Sequence, residues 1–276
     1  MIPGAKLKRL ERILRDLGPA AVAYSGGIDS TFLAVMAKRV LDGRYLALTA
    51  DSAIRSRAEV AAARATARKL GIKHQTITSG ELKDRRFRAN PPDRCFHCKA
   101  LLWRELRRIA RSHGLKAVVD GSTADDMGEF RPGRDASAKY GIRSPLAEAG
   151  LAKSEVRRLA RRMGLPNWDA PSNPCLATRI PYGVAIKIQD LERIERSEAG
   201  LRGMGFSSLR VRHHGDLARI EIPTGQLNKA LKARDRIVSE LRRAGYRFVT
   251  LDLDGYQKGC YDNGKKHAER KNRPTA

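Results

Sequence analysis

Residues 25–30, Ser-Gly-Gly-Ile-Asp-Ser, combine residue types that allow a backbone to bind an anion. The small apolar run at residues 20–24 predicts a strand, and the helical spacing of apolar residues from Phe32 onward predicts a helix after the glycines. Amides at the start of a helix and the positive end of its dipole favour an anion, and glycine allows close approach. The pattern therefore favours a phosphate site, although an ordinary turn in which Ser and Asp only cap the helix would look similar.

The Gly-containing string is not a Walker loop, because Asp29 stands before Ser30 where that motif has a lysine. It resembles instead the SGGxDS pyrophosphate loop of the PP-loop ATP pyrophosphatases, which activate their substrates by adenylylation. The resemblance implies that the phosphates of ATP are cradled by Ser25, Gly26, Gly27, Asp29 and Ser30.

Cysteine occurs at four positions: Cys95, Cys98, Cys175 and Cys260. The first two form a CxxC turn, which in a cytosolic chain indicates metal ligation or redox chemistry more than a disulfide. A thioredoxin-like context is missing, and a structural zinc site would need four ligands, which His97 and His113 do not supply in an ordered pair. Cys175, in a proline-rich segment, suggests a third ligand of an iron-sulfur cluster with one iron left open. Cys260 is interpreted as a thiol outside this set.

The elements that must position these residues alternate between strands and helices. Strands are predicted at residues 20–24, 45–50, 74–78 and 116–120, and helices at residues 30–41, 56–70, 98–113 and 152–163. Such alternation predicts an α/β fold with a parallel sheet covered on both faces. Ligands of these sheets bind beyond the carboxyl ends of the strands, where the Gly loop, Ala50 and Asp51, and the pair Asp125 and Asp126 are expected.

The chain changes character after residue 165. A proline-rich segment at residues 166–181 reads as a linker or active-site loop. A helix is predicted at residues 186–203 and another at 226–243, with strands at 208–215, 217–223 and 246–255 and antiparallel pairing between strands. We therefore expect an ATP-binding domain at residues 1–165, a smaller α/β domain at 166–260, and a flexible basic tail at 261–276.

Composition indicates a globular protein with a marked positive charge. Hydrophobic residues make up 41% of the chain, and no apolar stretch approaches the roughly 20 residues that span a bilayer. The N-terminal segment lacks the apolar centre of a signal peptide, which favours the cytoplasm and no membrane partner. The net charge of +25 favours a polyanionic partner such as nucleic acid, but the arginines are spread over helix faces of the kind that usually meet solvent.

Seven strings together resemble the ATP-dependent sulfur transferases that make the nickel-pincer cofactor of lactate racemase. They are SGGIDST, LTADS, RCFHCK, DGSTADD, SPLAEAGLAKSEVRRLA, PCLATRIPYG and LDLDGY. The resemblance implies a PP-loop domain, adenylylation of a carboxylate of a pyridinium-dicarboxylate mononucleotide, and replacement of the activated oxygen by sulfur. One variant of the family consumes the cysteine that matches Cys175. The other holds a 4Fe-4S cluster with three cysteines, and this chain has that set in Cys95, Cys98 and Cys175.

The resemblance also implies roles for polar residues. Asp125 or Asp126 would hold Mg²⁺, unless one of them caps the next helix, and Asp125 is the preferred candidate. Arg210 and Arg212 alternate along one predicted strand and so face one side. They would grip the phosphate of the mononucleotide, unless that side simply faces solvent. Weaker candidates for the same substrate site are Thr178, Arg179 and Glu198. The implied partners are a sulfide or other sulfur donor and further copies of the chain.

Two rival functions remain open on the sequence. A tRNA thiolase of the same superfamily could combine the SGGxDS loop with a CxxC and a third cysteine, and the charge of +25 favours it. A basic nucleic-acid-binding protein without catalysis is the second rival. Specific tRNA affinity that falls steeply with salt would support either of them.

Overall fold

The structure, a computed structural model, describes residues 3–127, 132–171 and 173–257. The chain divides into two compact units. The first comprises Met1–Phe87 and Asp93–Asn173, and the second comprises Arg88–Pro92 and Pro174–Ala276. The predicted boundary between independently folding domains at residue 165 stays a prediction. Cys260 and the predicted tail at 261–276 lie outside the described residues.

The first unit is built on a four-stranded parallel sheet with the strand order β3-β2-β1-β4. Its strands are β1 (Ala20–Ala23), β2 (Tyr45–Asp51), β3 (His74–Thr78) and β4 (Ala117–Val119). Its helices are α1 (Pro3–Leu17), α2 (Ile28–Leu41), α3 (Arg57–Lys69), α4 (Arg85–Arg88, whose last residue belongs to the second unit), α5 (Arg94–Ser112), α6 (Pro132–Lys139), α7 (Pro145–Glu148) and α8 (Lys153–Arg162). All three strand pairings are parallel. The predicted α/β class with a parallel sheet is confirmed.

Helices cover both faces of this sheet. The neighbouring residues Ala21 and Val22 of β1 are both fully buried, but they belong to different core clusters because successive side chains point to opposite faces. Val22 packs in a cluster with residues of α1, α2 and α8, and Ala21 packs in one with residues of α5. A strand buried on both faces needs the continuous apolar run that the sequence shows here.

The second unit contains a three-stranded sheet with the order β5-β6-β7. Its strands are β5 (Arg210–His214), β6 (Leu217–Glu221) and β7 (Phe248–Leu251), and its helices are α9 (Ile188–Gly203), α10 (Leu227–Lys232) and α11 (Arg234–Arg243). The predicted antiparallel pairing holds for β5 and β6, whereas β6 and β7 are parallel. A parallel neighbour requires a crossover connection, which α10 and α11 supply.

One predicted helix of the second unit is divided in two. The segment predicted as a single helix at 226–243 breaks at Ala233, whose ψ of 13° departs from helical geometry. Neither glycine nor proline marks this break, so the local sequence carries no signal for it.

Candidate active site

The loop between β1 and α2 has the geometry of an anion site. Gly26 adopts the left-handed conformation with φ of 77°. A Cβ atom at this position would lie 2.7 Å from the Cβ of Ala63, so that only glycine fits. Gly27 is the N-cap of α2 and gives no side-chain hydrogen bond to the helix. The first amides of α2 therefore retain donors for an anion.

Two serines hold this loop closed. The Ser30 hydroxyl donates to the Gly27 carbonyl at 3.0 Å and accepts from the Ser25 amide at 3.1 Å. The Oγ atoms of Ser25 and Ser30 lie 3.0 Å apart, and since the Ser30 proton is already used, the Ser25 hydroxyl is the donor. The structure thus brings together the serines and glycines that the sequence singled out.

The end of β4 packs tightly against the same loop. A Cβ atom at Gly121 would lie only 2.9 Å from the Ser30 amide nitrogen, which explains why a glycine follows this strand. The end of β2 carries the predicted residues Ala50, which is buried, and Asp51, whose carboxylate accepts from Arg64 at 3.2 Å. The carboxyl ends of these strands meet at one edge of the sheet, as expected for a parallel fold.

Asp29 is an unusual carboxylate. Its Oδ1 atom is buried and has no hydrogen-bond partner within the described part of the chain. Burial raises the pKa of Asp29 to about 6, and the positive charge of Lys153 opposes this rise while the charge of Asp126 adds to it. A carboxylate in this position gains from any cation that reaches it.

The two aspartates after β4 differ in their surroundings. Asp126 is buried and accepts from the Thr123 amide at 3.0 Å and from the Lys153 ammonium at 2.8 Å. Burial alone would raise the pKa of Asp126, but the hydrogen bonds from Lys153 and Thr123 outweigh it and lower the pKa to about 2. Asp125 is exposed and accepts from the backbone amide of Lys153 at the start of α8. The contact of Asp125 with the first amide of α8 is the helix-capping alternative that the sequence left open.

Cys95 and Cys98 lie in the first turn and a half of α5. Cys95 is exposed and Cys98 is half-buried. Residues three apart on a helix are neighbours on its surface, and a helix N-terminus favours negative charge such as a thiolate. The spacing of these two cysteines therefore suits ligation of one metal centre.

Cys175, in the second unit, is half-buried and precedes a 3-10 helix at Leu176–Arg179. Its carbonyl accepts from the Thr178 hydroxyl at 2.8 Å and from the Arg179 guanidinium at 3.0 Å. Arg179 also donates to the Pro174 carbonyl at 2.6 Å. The backbone on both sides of the cysteine is therefore fixed by one arginine.

A buried ion pair holds that arginine. Arg179 is completely buried and donates to Glu198 from Nε at 2.8 Å and from Nη2 at 3.0 Å. Glu198 also accepts from Arg202 at 2.7 Å and from the Val211 amide at 3.1 Å. Burial works against the ionised form of Glu198, but the hydrogen bond and charge of Arg179 outweigh it and lower the pKa of the carboxyl. The weaker predicted substrate contacts of Thr178, Arg179 and Glu198 stay predictions, while the structure shows all three in the support of the cysteine loop.

Arg210 and Arg212 are both buried on β5, so neither lies on a solvent-facing surface. Arg212 donates to both carboxylate oxygens of Glu221, at 2.9 and 2.7 Å, and to the Thr178 carbonyl at 2.8 Å.

Arg210 is placed differently from its neighbour. It donates to the Leu209 carbonyl at 2.6 Å and stacks 5.1 Å from the ring of Tyr256. Among the described residues, the ion pairs include no carboxylate partner for Arg210. Burial lowers the pKa of Arg210, and the charge of Arg179 lowers it further. A buried cation without a carboxylate fits an anionic group of a ligand.

Sequence analysis missed three polar residues, two in the first unit and one in the second. Lys153 links the aspartates, Asn167 contacts the phosphate loop, and Asn90 donates from its amide to the carbonyls of Pro181 and Val184 at 2.8 and 3.0 Å. Each contact joins residues far apart in the chain, so no local pattern indicates it. For Asn167, its position directly after Pro166 indicates a turn but does not indicate a contact with the phosphate loop.

Within residues 3–127, 132–171 and 173–257, no three His, Cys, Asp or Glu side chains are grouped as ligands of one metal ion. The cluster predicted for Cys95, Cys98 and Cys175 and the Mg²⁺ predicted for Asp125 stay predictions. No helix in those ranges is long and apolar enough to cross a membrane.

Comparison with known proteins agrees with this geometry. The asparagine synthase family model matches residues 9–165. An uncharacterized protein of Synechocystis sp. is 40% identical over 257 residues, which are 92% of this chain and 96% of that protein. The pyridinium-3,5-bisthiocarboxylic acid mononucleotide synthase of Lactiplantibacillus plantarum is 38% identical over 256 residues, which are 92% of each chain. A GMP synthase of Aeropyrum pernix is 27% identical over 228 residues, which are 74% of this chain and 44% of that protein.

Proposed function

Because this chain belongs to the PP-loop family of ATP-dependent sulfur transferases, we propose that it converts a carboxylate of a pyridinium-3,5-dicarboxylic acid mononucleotide into a thiocarboxylate. The similar L. plantarum enzyme is a synthase of the bisthiocarboxylic acid mononucleotide, which supports this substrate class. The use of ATP follows from the family, and the sequence prediction of an ATP-dependent enzyme is confirmed.

The first step is adenylylation. A carboxylate oxygen of the substrate attacks the α-phosphorus of ATP, the bond from that phosphorus to the bridging oxygen breaks, and pyrophosphate leaves. The first amides of α2, which no side chain caps, would receive the charge of the leaving group. In the second step a sulfur nucleophile attacks the activated carbon and AMP departs with the former carboxylate oxygen.

Mg²⁺ would supply charge neutralisation to the departing pyrophosphate. The chemistry of the donor set fits this ion, since Mg²⁺ prefers carboxylate oxygens. Asp29, with its buried unpaired Oδ1 atom, and the exposed Asp125 are the carboxylates that would hold it.

We further propose that the sulfur comes from a 4Fe-4S cluster ligated by Cys95, Cys98 and Cys175. The observation that carries this proposal is the pair Cys95 and Cys98 on one turn of α5, in the same unit as the pyrophosphate loop. A donor consumed at Cys175 alone would not need the pair. Three thiolates suit such a cluster, which would supply an iron without a protein ligand as the place where sulfide binds.

The substrate phosphate is assigned to Arg210, with Arg212 as its neighbour on the strand. Arg210 brings a buried positive charge that no carboxylate in the described ion pairs neutralises. Phosphate oxygens accept charge-assisted hydrogen bonds from a guanidinium, and these are among the strongest that a protein makes.

The proposal is tested with protein purified anaerobically. We expect AMP and pyrophosphate from ATP, about four iron and four sulfide per chain, and repeated turnover when sulfide is supplied. Replacing Cys95, Cys98 or Cys175 singly by alanine should abolish the visible spectrum of the cluster, whereas the matched control Cys260→Ala should retain it.

Three results would each contradict one part of this proposal. ADP and orthophosphate as products would rule out adenylylation. An iron-free preparation that transfers one sulfur and leaves dehydroalanine at position 175, with a loss of H₂S in mass, would exclude the cluster and assign the sulfur to Cys175. Specific tRNA binding with a steep salt dependence would instead favour a tRNA substrate.

A further inference from the structure

The side chain of Asn167 contacts the pyrophosphate loop although it lies 141 residues beyond Gly26 in the chain. Its Nδ2 atom donates to the Gly26 carbonyl at 2.8 Å and to the Thr31 hydroxyl at 3.0 Å. Both residues belong to the first unit, in which Asn167 follows α8. The amide nitrogen must face the loop, because a carbonyl oxygen cannot donate and Oδ1 in that place would repel the carbonyl of Gly26.

The other end of this side chain adds no hydrogen bond within the described residues. The Oδ1 atom of Asn167 is buried and has no hydrogen-bond partner in the part of the chain that the structure describes. A buried acceptor without a donor opposes folding, so an apolar side chain of the same size would avoid this penalty. The donor at Nδ2 is what the asparagine contributes.

The bonded carbonyl belongs to the Gly26–Gly27 peptide, whose plane can flip because it is flanked by two glycines. Gly26 has φ of 77° and is followed by Gly27, and glycine tolerates both orientations of the peptide between them. In a trans peptide the carbonyl and the next N–H point in opposite directions. Fixing the Gly26 oxygen on the Asn167 side therefore fixes the Gly27 N–H on the opposite side, where it donates to the Ser25 hydroxyl at 3.3 Å.

The segment that carries Asn167 is itself anchored to α8. Arg157 donates to the Ala170 carbonyl at 2.9 Å, and the Arg161 guanidinium lies 4.8 Å from the centre of the Trp168 ring. An amide on a segment held at these points reaches the loop in a defined position. Ala63 of α3 also packs closely on Gly26, since a Cβ atom at Gly26 would lie 2.7 Å from the Cβ of Ala63.

We propose that Asn167 is a positioning residue that locks the Gly26–Gly27 peptide in the orientation in which the Gly27 N–H bonds the Ser25 hydroxyl and holds the phosphate loop in its ATP-binding shape. It rests on the proposed use of ATP and deepens it, because the residue acts through the loop and touches no reacting atom. Without the lock, the peptide samples both orientations, and ATP binding must first select the competent one. The affinity for ATP then falls by the fraction of loops that are competent.

The test is the substitution Asn167→Leu, which keeps the size and removes the donor, with Asn167→Ala as a second variant in case the first folds poorly. The control is Asn173→Ala, which removes an amide of the same segment that donates to Glu59. Wild-type protein is first shown to release AMP and pyrophosphate, so that failure of the proposed function is recognised separately. The Kd for ATP is then measured by calorimetry, and KM values are measured for both substrates.

We expect the Kd and KM for ATP to rise about 10-fold in both Asn167 variants, as the loss of one to two neutral hydrogen bonds implies. The KM for the mononucleotide should stay within about 2-fold of wild type, and the control should keep the wild-type Kd for ATP. A merely structural role predicts a lower melting temperature with an unchanged Kd for ATP in the folded protein. Either that outcome or an equal rise in both KM values would overturn the proposal.

Discussion

Replacing Arg210 and Arg212 by methionine should change protein stability in opposite ways. Arg212 donates to both oxygens of the buried Glu221, so that Arg212→Met removes a buried ion pair from a carboxylate that retains the Arg219 guanidinium, at 3.1 Å. Breaking a buried ion pair costs about 3–5 kcal/mol, and the remaining arginine places this case near the lower end. We therefore expect the free energy of unfolding to fall by about 3 kcal/mol in Arg212→Met.

Arg210→Met has a different consequence, because Arg210 leaves no carboxylate behind. The change replaces a buried cation, bonded to the Leu209 carbonyl, by an apolar side chain of similar length. The free energy of unfolding should stay equal or rise by about 1 kcal/mol. Binding of the mononucleotide should weaken by about 1.5–3 kcal/mol, or roughly 10- to 150-fold in Kd, which is the loss of a charge-assisted contact to phosphate.

Urea unfolding followed by circular dichroism measures the stability of both variants, and calorimetry with the mononucleotide measures binding. Titration with ATP is the control, and its Kd should not change in Arg210→Met, since Arg210 lies in the second unit. An equal loss of stability in the two variants would refute the assignment of Arg210 as the unneutralised cation. Unchanged mononucleotide binding in Arg210→Met would remove this arginine from the substrate site.

Three further predictions follow from local geometry. Gly26→Ala should abolish ATP binding in calorimetry, because its Cβ would lie 2.7 Å from that of Ala63, whereas Gly18→Ala, also at positive φ but with open space around it, should only lower stability by about 1 kcal/mol. Asp29→Asn should stabilise the protein at pH 7 but not at pH 3.5 in urea titrations: the folded pKa of about 6 exceeds the unfolded 3.8, so wild type loses stability as pH rises through that interval. Asn90→Gly, which keeps the left-handed backbone at φ of 55° but loses the amide bonds to the loop at 180–184, should lower the melting temperature by several degrees, and an unchanged value would contradict that role.

The phosphate loop could be predicted from the sequence because its signal is local. Strand, glycines, serines and helix follow one another within about a dozen residues, and the structure keeps them in contact through bonds between positions 25, 27 and 30. The parallel sheet was predictable for the same reason, since the buried strands β1 and β2 are mostly apolar.

The remaining features depend on partners that are distant in the chain. The alternation of Arg210 and Arg212 predicts that they share a side, but only the fold shows that Glu221 neutralises one of them. Likewise, the DGSTADD string offers two aspartates with equal claims, and their difference arises from Lys153, which is 27 residues from Asp126. Tertiary packing decides which charged residues pair in this way. Such pairs produce no repeating pattern in the sequence from which they could be predicted.

The short segment Arg88–Pro92 has a consequence for how this protein can be synthesised and divided. It belongs to the second unit, where the Arg88 carbonyl accepts from the Ile186 amide at 2.8 Å and the Asn90 carbonyl accepts from the Gly183 amide at 3.0 Å. The ribosome therefore releases a piece of the second unit about 80 residues before the rest of it. No single cut of the chain separates two complete units. A gene fragment that starts at residue 174 would encode a second unit that lacks Arg88–Pro92. A chimera that takes its second unit from a homologue would have to include both segments of that unit.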